Sequence, residues 1–130
     1  MKKAENTKKL KPLIVDMRVL TQKEMVSMGG NYHLRTGMLL KVPVKMVDGL
    51  DPTPAGYYNE KGEYKSFRKG KKITIPIEVI YDSGMDVFSL QDGNHRITQA
   101  IKNGDDYILA FAEAENKEMY NLWKKTFKQK

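Results

Sequence analysis

The chain has 130 residues, 40% of them hydrophobic, and a formal charge of +7; this suffices for one domain with a core and is too little for two. It has no cysteine, which excludes disulfides, thiol nucleophiles and thiolate metal sites, and its two histidines, His33 and His95, lack the spacing of a zinc site. PLIVDMRVL is too short and too charged for a signal core or a membrane span, so a soluble, cytoplasmic protein without membrane contact is expected.

Residues 1–11 are lysine-rich and aperiodic and read as a disordered basic arm, with a single domain over 12–130. LIVDMRVL reads as a strand. In TQKEMVSMGG, Thr21 and Glu24 have capping-box spacing, Leu20 and Met25 can staple the helix entrance, and Gly29 and Gly30 supply the stop. This predicts a short helix with Met25 and Met28 facing the core. MLLKVPVKMV alternates as a strand, with Val42, Val44 and Met46 opposite Lys41 and Lys45; Pro43 predicts an edge position or a bulge.

DGLDPTPAG is turn chemistry, and YYNEKGEYKSF reads as a hairpin with NEKG at its tip. ITIPIEVIYD predicts a strand with Ile75, Ile77 and Val79 on one face, DSGMD turns, and VFSLQ is a further strand. Ile97, Ala100 and Ile101 mark the inward stripe of a short helix that Gly104 ends. YILAFA is another strand. NKEMYNLWKKTF places Met119, Leu122, Trp123 and Phe127 on one helical face, which predicts a docked C-terminal helix. The class is α+β, a small mixed sheet with short helices.

Charge is concentrated in three islands: the N-terminal arm, the 61–72 segment with six Lys or Arg against one Glu, and the lysine-rich C-terminus. Such islands suit a polyanion or simply keep a surface solvated. The stretch DGNHR, 92 to 96, stands where a strand hands over to a helix. Gly93 permits a tight turn and close approach of a ligand, the first helical amides form an anion site, and Arg96 can hold a phosphate with two parallel hydrogen bonds. His95 can donate to that anion or move a proton, and Asn94 can cap the helix or touch the ligand. The same residues also compose an ordinary turn ending in an N-cap.

LQDGNHRITQAIKNGDDYILAFAEA resembles the signature of the ParB/sulfiredoxin superfamily, in which a strand leads through a Gly-x-[His/Arg]-Arg turn to a short helix, a glycine and a strand. ITIPIEVIYD resembles the strand before that signature in ParB-like nuclease domains, so the match covers residues 73–113. The resemblance implies a ParB/sulfiredoxin-like fold with a nucleotide or phosphate-ester pocket at Gly93, Asn94, His95 and Arg96. Asn94 stands where sulfiredoxins carry their reactive cysteine, which excludes sulfinic acid reduction. Thr98 replaces an arginine of the cytidine-triphosphate-binding partition proteins, and no helix-turn-helix follows.

Two functions compete. In one, the protein is a nucleoside-triphosphate hydrolase, phosphotransferase or nuclease, with His95 and Arg96 catalytic and Asp92, joined by Asp48 or Asp51, holding Mg²⁺; neither zinc nor haem is expected. Asp92 also reads as a turn former. In the other, it is a binding module without turnover, of the kind mobile elements such as phages and plasmids carry. Arg68, Lys69, Lys71 and Lys72 then contact nucleic-acid phosphates while Tyr64 and Phe67 stack on bases, or the module inhibits a protein partner. The 56–72 insertion can serve as a lid. His33 is either a polar loop residue or reaches the pocket from the N-terminal part.

Overall fold

The computed structural model describes residues 9–50 and 56–130. The first eight residues of the expected basic arm and the centre of the DGLDPTPAG turn, with Asp51, lie outside the described residues. At the start of the described chain, the Lys9 ammonium lies 3.0 Å from an Asp86 carboxylate oxygen, and the Tyr107 hydroxyl donates to the Lys11 carbonyl.

The expected N-terminal strand is two short ones, β1 (Leu13–Ile14) and β2 (Leu20–Thr21). They are separated because Arg18 folds back onto Asp16, its Nη2 2.6 Å from Oδ2, and the guanidinium holds the Asp16 carboxyl below the usual carboxylate range. α1 (Gln22–Ser27) follows with a complete capping box: Thr21 Oγ1 accepts the Glu24 amide and Glu24 Oε1 accepts the Thr21 amide. Replacing Thr21 with alanine removes one half of this exchange and is expected to lower stability by about 1 kcal/mol, read from the urea midpoint. Met25 is buried, whereas Met28, expected inside, lies at the C-cap and is exposed.

β3 (Thr36–Pro43) runs through the interior of the sheet, not along its edge. Pro43 is tolerated because it ends the strand: the chain turns at once into a 3-10 segment, Val44–Met46, and then β4 (Val47–Asp48). β5 (Gly56–Tyr58) and β6 (Tyr64–Ser66) form the expected hairpin, its tip closed by Asn59 Oδ1, which accepts from the Lys61 and Glu63 amides. β7 (Ile77–Asp82) starts only after Pro76, so Ile75, expected on the core face, is exposed. β8 (Val87–Asp92), α2 (Asn94–Asn103), β9 (Tyr107–Glu113), α3 (Lys117–Thr126) and β10 (Lys128–Gln129) complete the chain. The result is a small mixed α+β domain.

The main sheet has the order β10-β1-β3-β9-β7-β8-β4, with β2 also on β3. β9 pairs antiparallel with β3 and parallel with β7, and α2 carries the chain from β8 past β7 to β9. Alternation separates two cores. Met38, Leu40, Val42, Ile77, Val79 and Phe88 face the main one, covered by Ile97 and Ala100 of α2 and by Tyr120 and Trp123 of α3. Leu39 and Phe111 face the other, covered by Leu20, Met25 and Leu34. Two further apolar positions, on α2 and α3, depart from the expected stripes. Ile101 and Leu122 are exposed, because α2 turns Gln99 toward the 66–72 segment and α3 rests on Tyr120 and Trp123. None of the described helices is long and apolar enough to cross a membrane.

Candidate functional site

The DGNHR turn sits where β8 ends and α2 begins. Gly93 is the N-cap, at φ 113°, and its carbonyl accepts the Ile97 amide that opens the helix. A Cβ there would lie 2.5 Å from Ile77 Cγ2 and 2.9 Å from Ile77 Cβ. The space expected to admit a ligand is therefore filled by a core side chain, and the glycine is required for packing. The helix is capped by Gly93 itself with no side-chain bond, so the expected cap by Asn94 is not formed; Asn94 occupies the first helical position, and its carbonyl accepts the Thr98 hydroxyl.

Arg96 is 26% exposed in its side chain, and its head is engaged on both arms. Nη1 donates to the Pro76 carbonyl at 2.7 Å and Nη2 to Asp92 Oδ2 at 3.0 Å. The two nitrogens expected to hold a phosphate thus lock the turn to the start of β7 and aim Asp92, although each retains a second N–H.

Asp92 lies directly across from Glu78 in the antiparallel β7–β8 pair. Like charges at such a position repel and are normally avoided. A β-bulge creates the arrangement: the register shifts between Glu78–Asp92 and Val79–Leu90, leaving Gln91 as the extra residue. In a straight ladder Gln91 would oppose Glu78, and Asp92 would follow Leu90 onto the main core face.

Glu78 is 2% exposed. Its Oε2 accepts the Asn31 amide at 2.8 Å and its Oε1 the His33 amide at 3.2 Å, while Asn31 Nδ2 donates to Asp92 Oδ2 at 3.1 Å. The loop after α1 is thereby tied to the β7–β8 bulge. It brings His33 close enough that one imidazole nitrogen and one oxygen each of Glu78 and Asp92 lie within 4.8 Å of one another. His33 therefore does reach the turn. Glu78 gave no signal beyond a lone carboxylate in an apolar strand. Asp48, at the end of β4, is not part of this group.

On its other side the turn meets the hairpin. The His95 ring stacks on Tyr57 with centroids 4.1 Å apart, and Phe67 lies 6.1 Å away. Phe67 is 8% exposed and packs on Tyr57 at 5.4 Å, so it presents no face to a base; Tyr64 is exposed. Two α2 side chains one turn apart hold the basic segment: Gln99 Nε2 donates to the Arg68 carbonyl at 2.6 Å, Asn103 Nδ2 to the Lys71 carbonyl at 2.8 Å, and the Gly70 amide to Asn103 Oδ1 at 2.6 Å. Arg68, Lys69, Lys71 and Lys72 remain exposed. Lys71, Lys72, His95, Arg96 and Gln99 line a small cavity of about 170 Å³.

The donor set, two carboxylates and an imidazole, suits a divalent transition-metal cation such as Mn²⁺. Set against protein-family models, curated proteins and solved structures, the chain matches none of them, and the site's own chemistry carries its reading.

Proposed function

We propose that this protein binds a divalent cation at His33, Glu78 and Asp92 together with a phosphate group of a nucleotide or nucleic acid, and hydrolyses a phosphoester or phosphoanhydride bond there. The observation that carries this reading is the like-charged Glu78–Asp92 pair, set face to face by a bulge and joined by His33 from a separate loop. Each carboxylate has its own fold partners, Glu78 the Asn31 and His33 amides and Asp92 the Arg96 guanidinium, but their opposition across the strands repels, and a cation between them removes that repulsion.

When bound, such an ion neutralises developing charge on phosphate oxygens and acidifies a coordinated water. The chain's own residues have distinct parts. Arg96 holds Asp92 in position and the first-turn amides of α2 favour an anion, while His95, exposed beside Tyr57 on the hairpin side of the same turn, can donate to a ligand that extends past it. The strand, glycine turn, helix, glycine, strand order over 87–113 supports a ParB/sulfiredoxin-like assignment, which forms part of this proposal. A second reading, nucleic-acid binding without turnover, is favoured by the basic segment that Gln99 and Asn103 hold in place.

Titrating Mn²⁺ and following loss of the free-ion electron paramagnetic resonance signal tests the site. Asp92→Asn and His33→Ala are each expected to weaken binding by about tenfold or more, as loss of a direct ligand should at least match loss of an outer partner. Phosphate release or strand cleavage by the wild-type protein should require the ion. Equal Mn²⁺ affinity in wild type and both variants removes the cation from the reading, and ion binding without product leaves the second reading in its place.

A further inference from the structure

We propose that a single-stranded nucleic acid lies along this domain, its phosphodiester backbone following a lysine-lined track from Lys41 and Lys130, past Lys71 and Lys72, to the His95–Arg96 turn. The inference rests on the preceding proposal only for the end point of the track; the binding it describes needs no cation.

Lys41 comes from β3, Lys71 and Lys72 from the segment held on α2, and Lys130 from the residue after β10, whose amide donates to the Ile14 carbonyl. These distant parts of the chain converge on one open cleft of about 730 Å³. Four lysines line it with one acidic side chain, Asp105, which already accepts from Asn103 Nδ2 at 3.3 Å. Lys41 stands in an interior strand between the buried Leu40 and Val42, on the face that α1 and its loop cover farther along at Leu39 and Phe111. The Lys130 amine beside it, together with some burial, holds Lys41 below the ordinary lysine range. Two cations kept together favour an anion between them.

The cleft does not end at Lys72. Lys71, Lys72 and Ile73 also border the smaller cavity beside His95 and Arg96, so the basic surface continues to the turn. Such a path fits a chain of phosphates better than one phosphate group. Bases have a place as well: Tyr58 and Tyr64 are exposed on the hairpin with ring centroids 5.4 Å apart, and Tyr58 shares a cavity wall with His95. Exposed aromatic faces beside a basic groove are how proteins hold unpaired strands.

Fluorescence anisotropy with labelled 20-nucleotide single strands of DNA and of RNA, in EDTA and across a KCl series, tests this. The variant K41Q/K71Q/K72Q/K130Q should reduce the slope of log affinity against log salt by roughly 3, since each neutralised contact to a single strand accounts for about 0.7. K41Q/K130Q alone should lower affinity clearly more than K117Q/K125Q, which removes the same charge from the exposed surface of α3. Reductive methylation of the wild-type protein gives a reading independent of variant folding: bound oligonucleotide should protect Lys41, Lys71, Lys72 and Lys130, and leave Lys117 and Lys125 reactive. Equal effects of the two double variants, absence of that protection, or competition by poly-glutamate as effective as by unlabelled oligonucleotide overturns the proposal. Because EDTA leaves no free divalent cation, failure here is distinct from failure of Mn²⁺ binding.

Discussion

Replacing Gly93 with alanine is expected to destabilise the fold by about 4 kcal/mol, a large part of the roughly 5–15 kcal/mol that holds a domain together. Two costs combine. The residue sits at φ 113°, where a side chain strains the backbone, and the new methyl would meet the side chain of Ile77, a fully buried core residue on β7. Gly62 separates them: it also has a positive φ, 79°, but nothing lies within 4 Å of a Cβ placed there. Gly62→Ala should therefore cost only the backbone part, about 1 kcal/mol. Urea melts of both variants decide the matter through their midpoints at unchanged slope. Equal losses would mean that Ile77 gives way and that the turn has room after all.

Glu78→Ala should cost about 3 kcal/mol and with it the cation site, because this one carboxylate holds the loop that delivers His33. The Asn31 and His33 amides lose their acceptor, and Leu34, part of the second core, loses its anchor. Two effects work the other way: the buried charge no longer has to be desolvated, and its repulsion with Asp92 disappears. Glu78→Gln removes the charge while its one amide oxygen can still accept from one of the two loop amides, its NH2 facing the other. It should lose less stability than Glu78→Ala and still weaken Mn²⁺ binding. Urea midpoints and the Mn²⁺ titration read the two quantities apart. An alanine variant as stable as wild type would show that the loop is held by something else.

Local patterns were legible wherever they depend on nearest neighbours. The Thr21–Glu24 box, the Asn59–Glu63 hairpin tip, the helix that Gly104 ends and the docked Trp123 all follow from short-range rules, and all are present. The site is different. Alternation puts Phe88, Leu90 and Asp92 on one face, and only the bulge at Gln91 turns Asp92 toward Glu78. Nothing in the spacing of VFSLQD announces that extra residue. Arg96 was legible as a binder of negative charge, but its partner is Asp92, four residues away, as well as a carbonyl twenty residues earlier. Lys41 and Lys130 are far apart in the chain, and their meeting depends on β1 pairing with both β3 and β10. Long-range pairing of that kind has no counterpart in a local pattern. Pro43 shows the reverse error: its rule holds for strand interiors, and here the strand simply stops at it.

Trp123 is the chain's single tryptophan, 2% exposed, with the rings of Tyr81, Phe88, Tyr120 and Phe127 at centroid distances of 5.0–6.1 Å within that aromatic group. Its ultraviolet emission is consequently a built-in reporter of whether α3 is seated on the sheet. None of these rings belongs to Glu78, Asp92 or His33, so a change in that glow during a titration would signal that the packing around α3 has shifted, and constant colour would mean that α3 stays seated.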